Sequence, residues 1–201
     1  DLGRIGLAIA QSNPNRIYAK IESEKNALYR SDNGGQNWYK INDNPKFTNN
    51  RPFYFQELAV DPEDPERLYN IYQPLSVSYD GGPSFAPVPM IPADETKGIH
   101  ADFHAFWVNP KDAKHFIIGG DGGIGITRDH GKSWYFPETI PVAQVYHVSV
   151  DQDRPYNVYV GMQDNGNWSG PGYTWKRGGI RTLYWQYLVG GDGFYIEPDL
   201  E

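Results

Sequence analysis

Three carboxylates of this sequence sit in glycine-flanked turns: Asp121 in Gly119-Gly120-Asp121-Gly122-Gly123, Asp164 in Gln163-Asp164-Asn165-Gly166, and Asp192 in Gly191-Asp192-Gly193. Hydrolysis of a glycosidic bond usually takes two carboxyl groups, about 5 Å apart or about 6.5–9.5 Å apart. Asp121, Asp192 and Asp164 are therefore the candidate catalytic residues. The same motifs also read as ordinary tight turns whose Asp accepts local hydrogen bonds. A second cluster is His100-Ala101-Asp102-Phe103-His104. On an extended strand residues two apart share a side, so His100, Asp102 and His104 would point one way and could converge on a metal. The alternative is a polar inner strand whose histidines hydrogen-bond their neighbours. That alternative is preferred, and neither a metal nor a cofactor is expected.

Composition narrows the classes. Aromatics reach 15% and charged residues 21%, with 22 Gly and 16 Pro scattered over 201 residues. Such a chain folds, and it needs many turns between short strands. A net charge of −7 argues against a nucleic-acid footprint, which needs a basic stripe. No apolar run is long enough to span a bilayer, so no membrane insertion is expected. The chain opens on Asp1-Leu2-Gly3-Arg4, already strand-like, without a signal peptide. Cysteine is absent and decides little about compartment.

The elements that must hold these residues come from a repeat. Gly6–Ala10 leads through Asn13-Pro14 into Arg16–Ala19. Glu57–Val60 leads through Asp61-Pro62 into Arg67–Asn70, and Ala105–Val108 through Asn109-Pro110 into His115–Ile118. Tyr146–Val150 then leads through Asp151-Gln152 into Tyr156–Val160, and Gly193–Asp199 begins a fifth unit. Each unit is a set of short Val, Ile, Tyr and Phe-rich strands broken by Asn/Asp turns. A period of about 45 residues with about four strands per unit describes a β-propeller blade. The expected fold is all-β: a propeller of four-stranded antiparallel blades, with four blades and the start of a fifth. The chain reads as a single partial domain, 1–201, with blades near 4–46, 53–90, 102–140, 144–178 and 191–201.

Late in each unit a second signature recurs. Ser31, Asn33, Gly35 and Trp38 match Ser78, Asp80, Gly82 and Phe85, and then Thr127, Asp129, Gly131 and Trp134; a fourth copy keeps only Gly172, Thr174 and Trp175. These residues resemble the Asp-box, or BNR repeat, Ser/Thr-x-Asp-x-Gly-x-Ser/Thr-Trp. The chain is thus similar to BNR/sortilin-type propellers, among them sialidases, xyloglucan-cleaving glycosidases and Vps10-domain receptors. Large exported bacterial proteins labelled glycosyl-hydrolase-like are the most similar. The box is structural: the short acid or amide accepts N–H groups of its own hairpin, Gly supplies a positive φ, and the Trp packs between strands.

A blade is a meander of strands a to d, so its a–b and c–d turns share one end, and its b–c and d–a loops share the other. The Asn/Asp-Pro turns and Asp-boxes occupy the first end. The second end is expected to hold the irregular segments 42–55, 87–104, 137–144 and 176–193, and with them the function. This ring would contain Arg51, Tyr54, Gln144, His147, Asn167, Arg177 and Tyr184, besides the candidate ligand-binding residues His100, Asp102, His104, Gln163, Asn165, Trp168, Arg181 and Trp185. Planar polar groups among aromatics suit a sugar, whose apolar face stacks and whose hydroxyls bond. A peptide would also fit. Three functions stay open: a carbohydrate- or peptide-binding module of a large exported protein, a glycoside hydrolase, and a scaffold docking on a partner complex. The expected partners are a glycan or peptide ligand, and further blades from flanking sequence or a partner chain that complete the disc. The expected location is extracellular or periplasmic.

Overall fold

The computed structural model of the chain describes residues 1–49, 51–90, 100–137, 140 and 142–199. Half of the expected loop 87–104 (residues 91–99), residues 138, 139 and 141 of the expected loop 137–144, and the end of the fifth repeat, residues 200–201, lie outside the described residues. The described chain is all-β apart from one helical turn, α1 (Pro45–Thr48), and a 3-10 turn at Thr182–Tyr184. It forms two compact units, Asp1–Phe136 and Pro137–Glu201.

The first unit holds three antiparallel meanders. Strands β1 (Leu2–Ile9), β2 (Ile17–Ser23), β3 (Ala27–Ser31) and β4 (Tyr39–Asn42) pair in chain order, as do β5 (Leu58–Val60), β6 (Leu68–Asn70), β7 (Ser76–Ser78) and β8 (Ala86–Pro87). The third sheet is β9 (Phe103–Val108), β10 (Phe116–Gly120) and β11 (Gly123–Thr127), with its fourth strand reduced to one bridge, Ile126 to Tyr135. The second unit holds β12 (His147–Val150), β13 (Asn157–Met162), β14 (Gly166–Pro171) and β15 (Gln186–Val189), again paired in order.

One backbone hydrogen bond sets the register of every sheet. The residue after strand a donates its N–H to a carbonyl at the start of strand b. In three sheets it is that of the residue just before the strand: Ala10 to Arg16 (3.0 Å), Asp61 to Arg67 (2.9 Å) and Asn109 to His115 (2.9 Å). In the fourth it is that of the first strand residue, Asp151 to Asn157 (3.3 Å). Parity then decides what each face carries. In the first sheet the even positions Ala8, Tyr18 and Leu28 pack on Val60 and Leu68 of the second. On the far side of the second sheet, Tyr69 and Val77 pack on Phe116 and Ile118 of the third. Polar clamps reinforce the first junction. Tyr18 Oη donates to Pro65 O at 2.7 Å, and Arg16 and Arg30 share Glu66 with Asp32.

The c–d hairpins of the first unit share one hydrogen-bond plan. The hydroxyl of Ser31, Ser78 or Thr127 accepts the N–H of Gly35, Gly82 or Gly131 at 2.8–2.9 Å and donates to Asn33, Asp80 or Asp129. Trp38 and Trp134 then close their hairpins by donating to Gly35 O and Gly131 O. Hydroxyl and amide donors from Ser133, with help from Thr127 and Lys132, hold the Asp129 carboxyl down at about 2.

The fourth sheet departs from expectation. Strand d is β15, at 186–189, so the sheet runs past the expected 178, and the segment 172–185 is its c–d connection. Residues 193–199 form no ladder among the described residues. They run beside β12 instead: Gly193 N–H donates to Met162 O (2.8 Å), Ser149 Oγ donates to Ile196 O (2.7 Å), and Tyr195 packs on His147 at 4.0 Å.

Positions equivalent to the half-buried Leu58 and the buried Val60 and Leu68 are Leu7, Ile9 and Ile17 in the first sheet, where Leu7 is 64% exposed. Burial and packing therefore predict opposite costs for similar truncations. Phe116→Ala should cost about 3–5 kcal/mol, whereas Leu7→Ala should stay within about 0.5 kcal/mol of the parent. Urea midpoints at constant m-value check both; a Leu7 cost as large as that of Phe116 would mean that this face is covered in solution.

Candidate functional site

In the first unit the d–a connection 43–57 and the b–c turn 121–122 meet around one side chain, His104. The aromatic loop is built first. Arg51 adopts φ 45° and its carbonyl accepts the N–H groups of Tyr54 (2.8 Å) and Phe55 (2.9 Å). Arg4 of β1 then ties the loop down, donating to Tyr54 O (2.8 Å) and Phe53 O (3.4 Å) and pairing with Glu57 (2.8 Å). Phe55 is wholly buried, while Phe53 is 70% and Tyr54 48% exposed.

His104 reaches this loop because β9 is bulged. Ala105 pairs with Gly119 and Phe103 with Gly120, leaving His104 between them. Bulges re-aim the extra side chain. The imidazole stacks on Phe55 (centroids 4.8 Å, 13°) and meets Tyr54 edge-on (4.8 Å, 77°). Its Nε2 lies 3.4 Å from Asp121 Oδ1, a close contact without the alignment of a hydrogen bond. Asp121 is held by its own N–H, which donates to Asp102 O (3.3 Å).

The idea that His100, Asp102 and His104 share one side of an extended strand is therefore corrected. Asp102 takes φ 66°, a left-handed conformation that breaks the alternation, and β9 starts only at Phe103. His104 turns to the aromatic loop and Asp121. His100 and Asp102 stay close, with ligand-type atoms within 4.8 Å. The His100 Nδ1 lies 3.1 Å from Ala101 O. Asp102 is buried, and its Oδ1 has no hydrogen-bond partner among the described residues. Gly122 is required beside them: a Cβ there would lie 2.2 Å from His100 N.

In the second unit the b–c turn is held from beyond strand d. Asp164, at φ 56°, donates its N–H to Asp192 Oδ1 (3.1 Å). Asp192 thus caps a turn that lies 28 residues before it in the chain, a longer-range bond than the local one weighed for these motifs. Gln163 accepts the Tyr146 hydroxyl (2.5 Å), and Asn165 O accepts the Trp168 indole N–H (2.8 Å). Trp168 meets Tyr187 edge-on at 5.1 Å. Arg181 and Trp185 do not belong to this end. Because β15 begins at Gln186, they lie with Arg177 and Tyr184 in the c–d connection at the opposite end of their own sheet. The strand-forming residues Tyr187-Leu188-Val189 are a signal for β15, but the fourth Asp-box copy at 172–175 places strand d earlier.

Lys20 was not singled out from sequence, although parity places it on the same face as Tyr18. It is 1% exposed. Its Nζ donates to Asn70 Oδ1 (2.9 Å) and Phe55 O (3.5 Å), which ties the aromatic loop to β6. Burial lowers its pKa to about 8, against the pull of Glu57. Phe53 was also missed, and only its exposure marks it.

No family model matches the chain. The chain is 28% identical over 152 residues to the oligoxyloglucan-reducing end-specific xyloglucanase of Emericella nidulans, covering 70% of this chain and 18% of that protein. Its structure is similar to that of a GH74 enzyme from Niastella koreensis (TM-score 0.54, 18% identity, 83% of this chain and 28% of that one). It is also similar to the GH74 xyloglucanase from Xanthomonas campestris (TM-score 0.52, 18% identity, 82% and 29%). The chain thus spans less than a third of each of these proteins. The structural likeness establishes the β-propeller fold class. No helix among the described residues is long and apolar enough to cross a membrane.

The buried lysine generates a pH test. With a folded pKa below the unfolded one, the unfolded chain binds more protons between about 8 and 10.5, so this group makes stability rise with pH across that window. Below it the cost of burying the charge is fully present. A heteronuclear NMR titration should place the Lys20 midpoint near 8, and an ordinary midpoint would show the ammonium to be solvated.

Proposed function

We propose that this chain is part of a larger BNR/Asp-box β-propeller of an exported protein, and that it binds a neutral polysaccharide of the xyloglucan class at the loop end of its first unit. One observation carries this reading. The bulged His104 brings the exposed aromatics of the 51–55 loop next to the Asp121 carboxylate. A pyranose ring has an apolar face for Tyr54 or Phe53 and hydroxyls for the imidazole and carboxylate. The xyloglucanase similarity supports a sugar over a peptide.

Binding is favoured over hydrolysis by the use of the carboxylates. Asp192 accepts the Asp164 N–H of the b–c turn, and Asp121 lies against the His104 imidazole, contacts that hold loops in place. The second reading is a glycoside hydrolase, and the name of the Emericella relative is what favours it.

Isothermal titration with xyloglucan oligosaccharides should show saturable binding by the parent chain. Tyr54→Ala should weaken it about tenfold, the loss of one stacking contact, while Asp192→Asn should leave it unchanged. Reducing ends should not accumulate over hours. Their sustained release by the parent, abolished in Asp121→Asn, would replace binding with hydrolysis.

A further inference from the structure

The c–d connection of the fourth sheet has lost the residue that makes its counterparts tight. Ser31, Ser78 and Thr127 stand opposite Ile17, Leu68 and Phe116, the first residues of their b strands. The equivalent partner of Val158 is Gly170. The outer bond of the hairpin survives: Gly172 N–H donates to Tyr156 O (2.9 Å), as Gly34 does to Asn15 and Gly81 to Glu66. The hydroxyl that would accept the next glycine N–H is gone. In place of the hairpins 32–38 and 79–85 there is a longer excursion, 172–185, shaped by positive φ at Gly178 and Gly179 and by the 3-10 turn.

Trp185 has taken over the packing. Its indole lies so close over Gly170 that a Cβ there would sit 2.6 Å from the ring. Trp175, the aromatic that aligns with Trp134, is thereby released and is 87% exposed. It stands edge-on to Tyr173 (4.8 Å, 79°), and Tyr173 lines a cleft of about 430 Å³ with Thr174, Lys176, Tyr184 and Gln186. That volume suits one or two sugar rings. Charge gives the class of sugar. From Asn165 to Gly191 the sequence holds Lys176, Arg177 and Arg181 and no Asp or Glu, within a chain of net charge −7.

From this cleft we infer a second binding site, for an acidic polysaccharide whose uronate carboxylates pair with Lys176, which lines the cleft with its Nζ 5.2 Å over the Tyr184 ring, while its rings stack on Tyr173 and the neighbouring Trp175. An ammonium on a flexible stem takes carboxylates as a compact point charge, and aromatic faces take pyranose rings. Nothing in it depends on the neutral-glycan site of the first unit.

The test uses the whole chain and oligogalacturonate as probe, followed by tryptophan fluorescence and calorimetry. Binding should be saturable and should weaken as salt rises from about 0.05 to 0.5 M, as an ion-paired contact does. Trp175→Ala and Lys176→Gln should each weaken it about tenfold or more with unchanged thermal midpoints, since both side chains are exposed. Trp175→Ala should leave xyloglucan binding intact, and Tyr54→Ala should leave oligogalacturonate binding intact, so the two sites fail separately. No binding of oligogalacturonate, equal binding of an uncharged galactan oligomer, or indifference to both substitutions would overturn the assignment. Equal binding of polyglutamate would overturn it in favour of an acidic protein segment.

Discussion

A single turn bond organises the molecule: the N–H that follows strand a donates to a carbonyl at the start of strand b, four times over. Because strand side chains alternate with period two, fixing one pair of partners fixes every other pair in the hairpin. A slip of one residue would send Tyr18, Lys20 and Leu28 to the wrong side of the first sheet and empty the junction they fill. The Asn/Asp-rich turns supply the short acceptors that keep this bond closed. Asp61 accepts the N–H groups of Glu63 and Asp64, and pairs with Arg67 at 2.8 Å. Asp151 repeats the device with Asn157.

With register fixed at one end, irregularity is confined to particular places and becomes informative. The bulge in β9 occurs two residues from the b–c turn, where the ladder can lose a pair without disturbing the aromatic junction of Tyr69, Phe106 and Phe116. Its effect is local and directional, turning His104 into the loop that Arg4 and Lys20 hold. Those two cations work differently. Arg4 is exposed and gathers carbonyls and a carboxylate at the surface, where its contribution is screened. Lys20 is buried, and its one close partner is the uncharged amide oxygen of Asn70, so its charge is expensive and its hydrogen bonds are correspondingly hard to lose.

Strands and a–b turns were legible in the sequence because both rest on local chemistry: β-branched and aromatic residues in short runs, closed by Asn/Asp turns. The fold class followed from that repetition, and the solved propellers agree with it. What stayed hidden depends on partners distant in the chain. The bulge at His104 needs Gly120 opposite Phe103, and no pattern within 100–104 announces it. The strand at 186–189 has no alternation to mark it; all four of its residues are exposed, and it is a strand only because β14 lies beside it. Mistaking it for loop moved Arg181 and Trp185 to the wrong end of their sheet. Lys20 was readable in principle, since parity alone pairs it with Tyr18.

The fourth c–d connection shows how little separates a structural turn from a surface available for binding. In the first unit, one hydroxyl organises each hairpin, accepting a glycine N–H and positioning the neighbouring acid or amide to accept one to three more hydrogen bonds. Glycine at that point removes the organiser, and no other side chain can rebuild the hairpin from the same backbone positions. A longer excursion then costs little, because the entropy of closing a loop grows only logarithmically with its length. The sheet still needs an aromatic over its outer strands, and Trp185 meets that need from the far end of the excursion. Trp175 is left with an aromatic neighbour, solvent on its face and three cations nearby in sequence. Nothing in the packing of the sheet requires so large and exposed a side chain at that position, which is why its neighbours in the cleft, rather than the core, are where its role has to be sought.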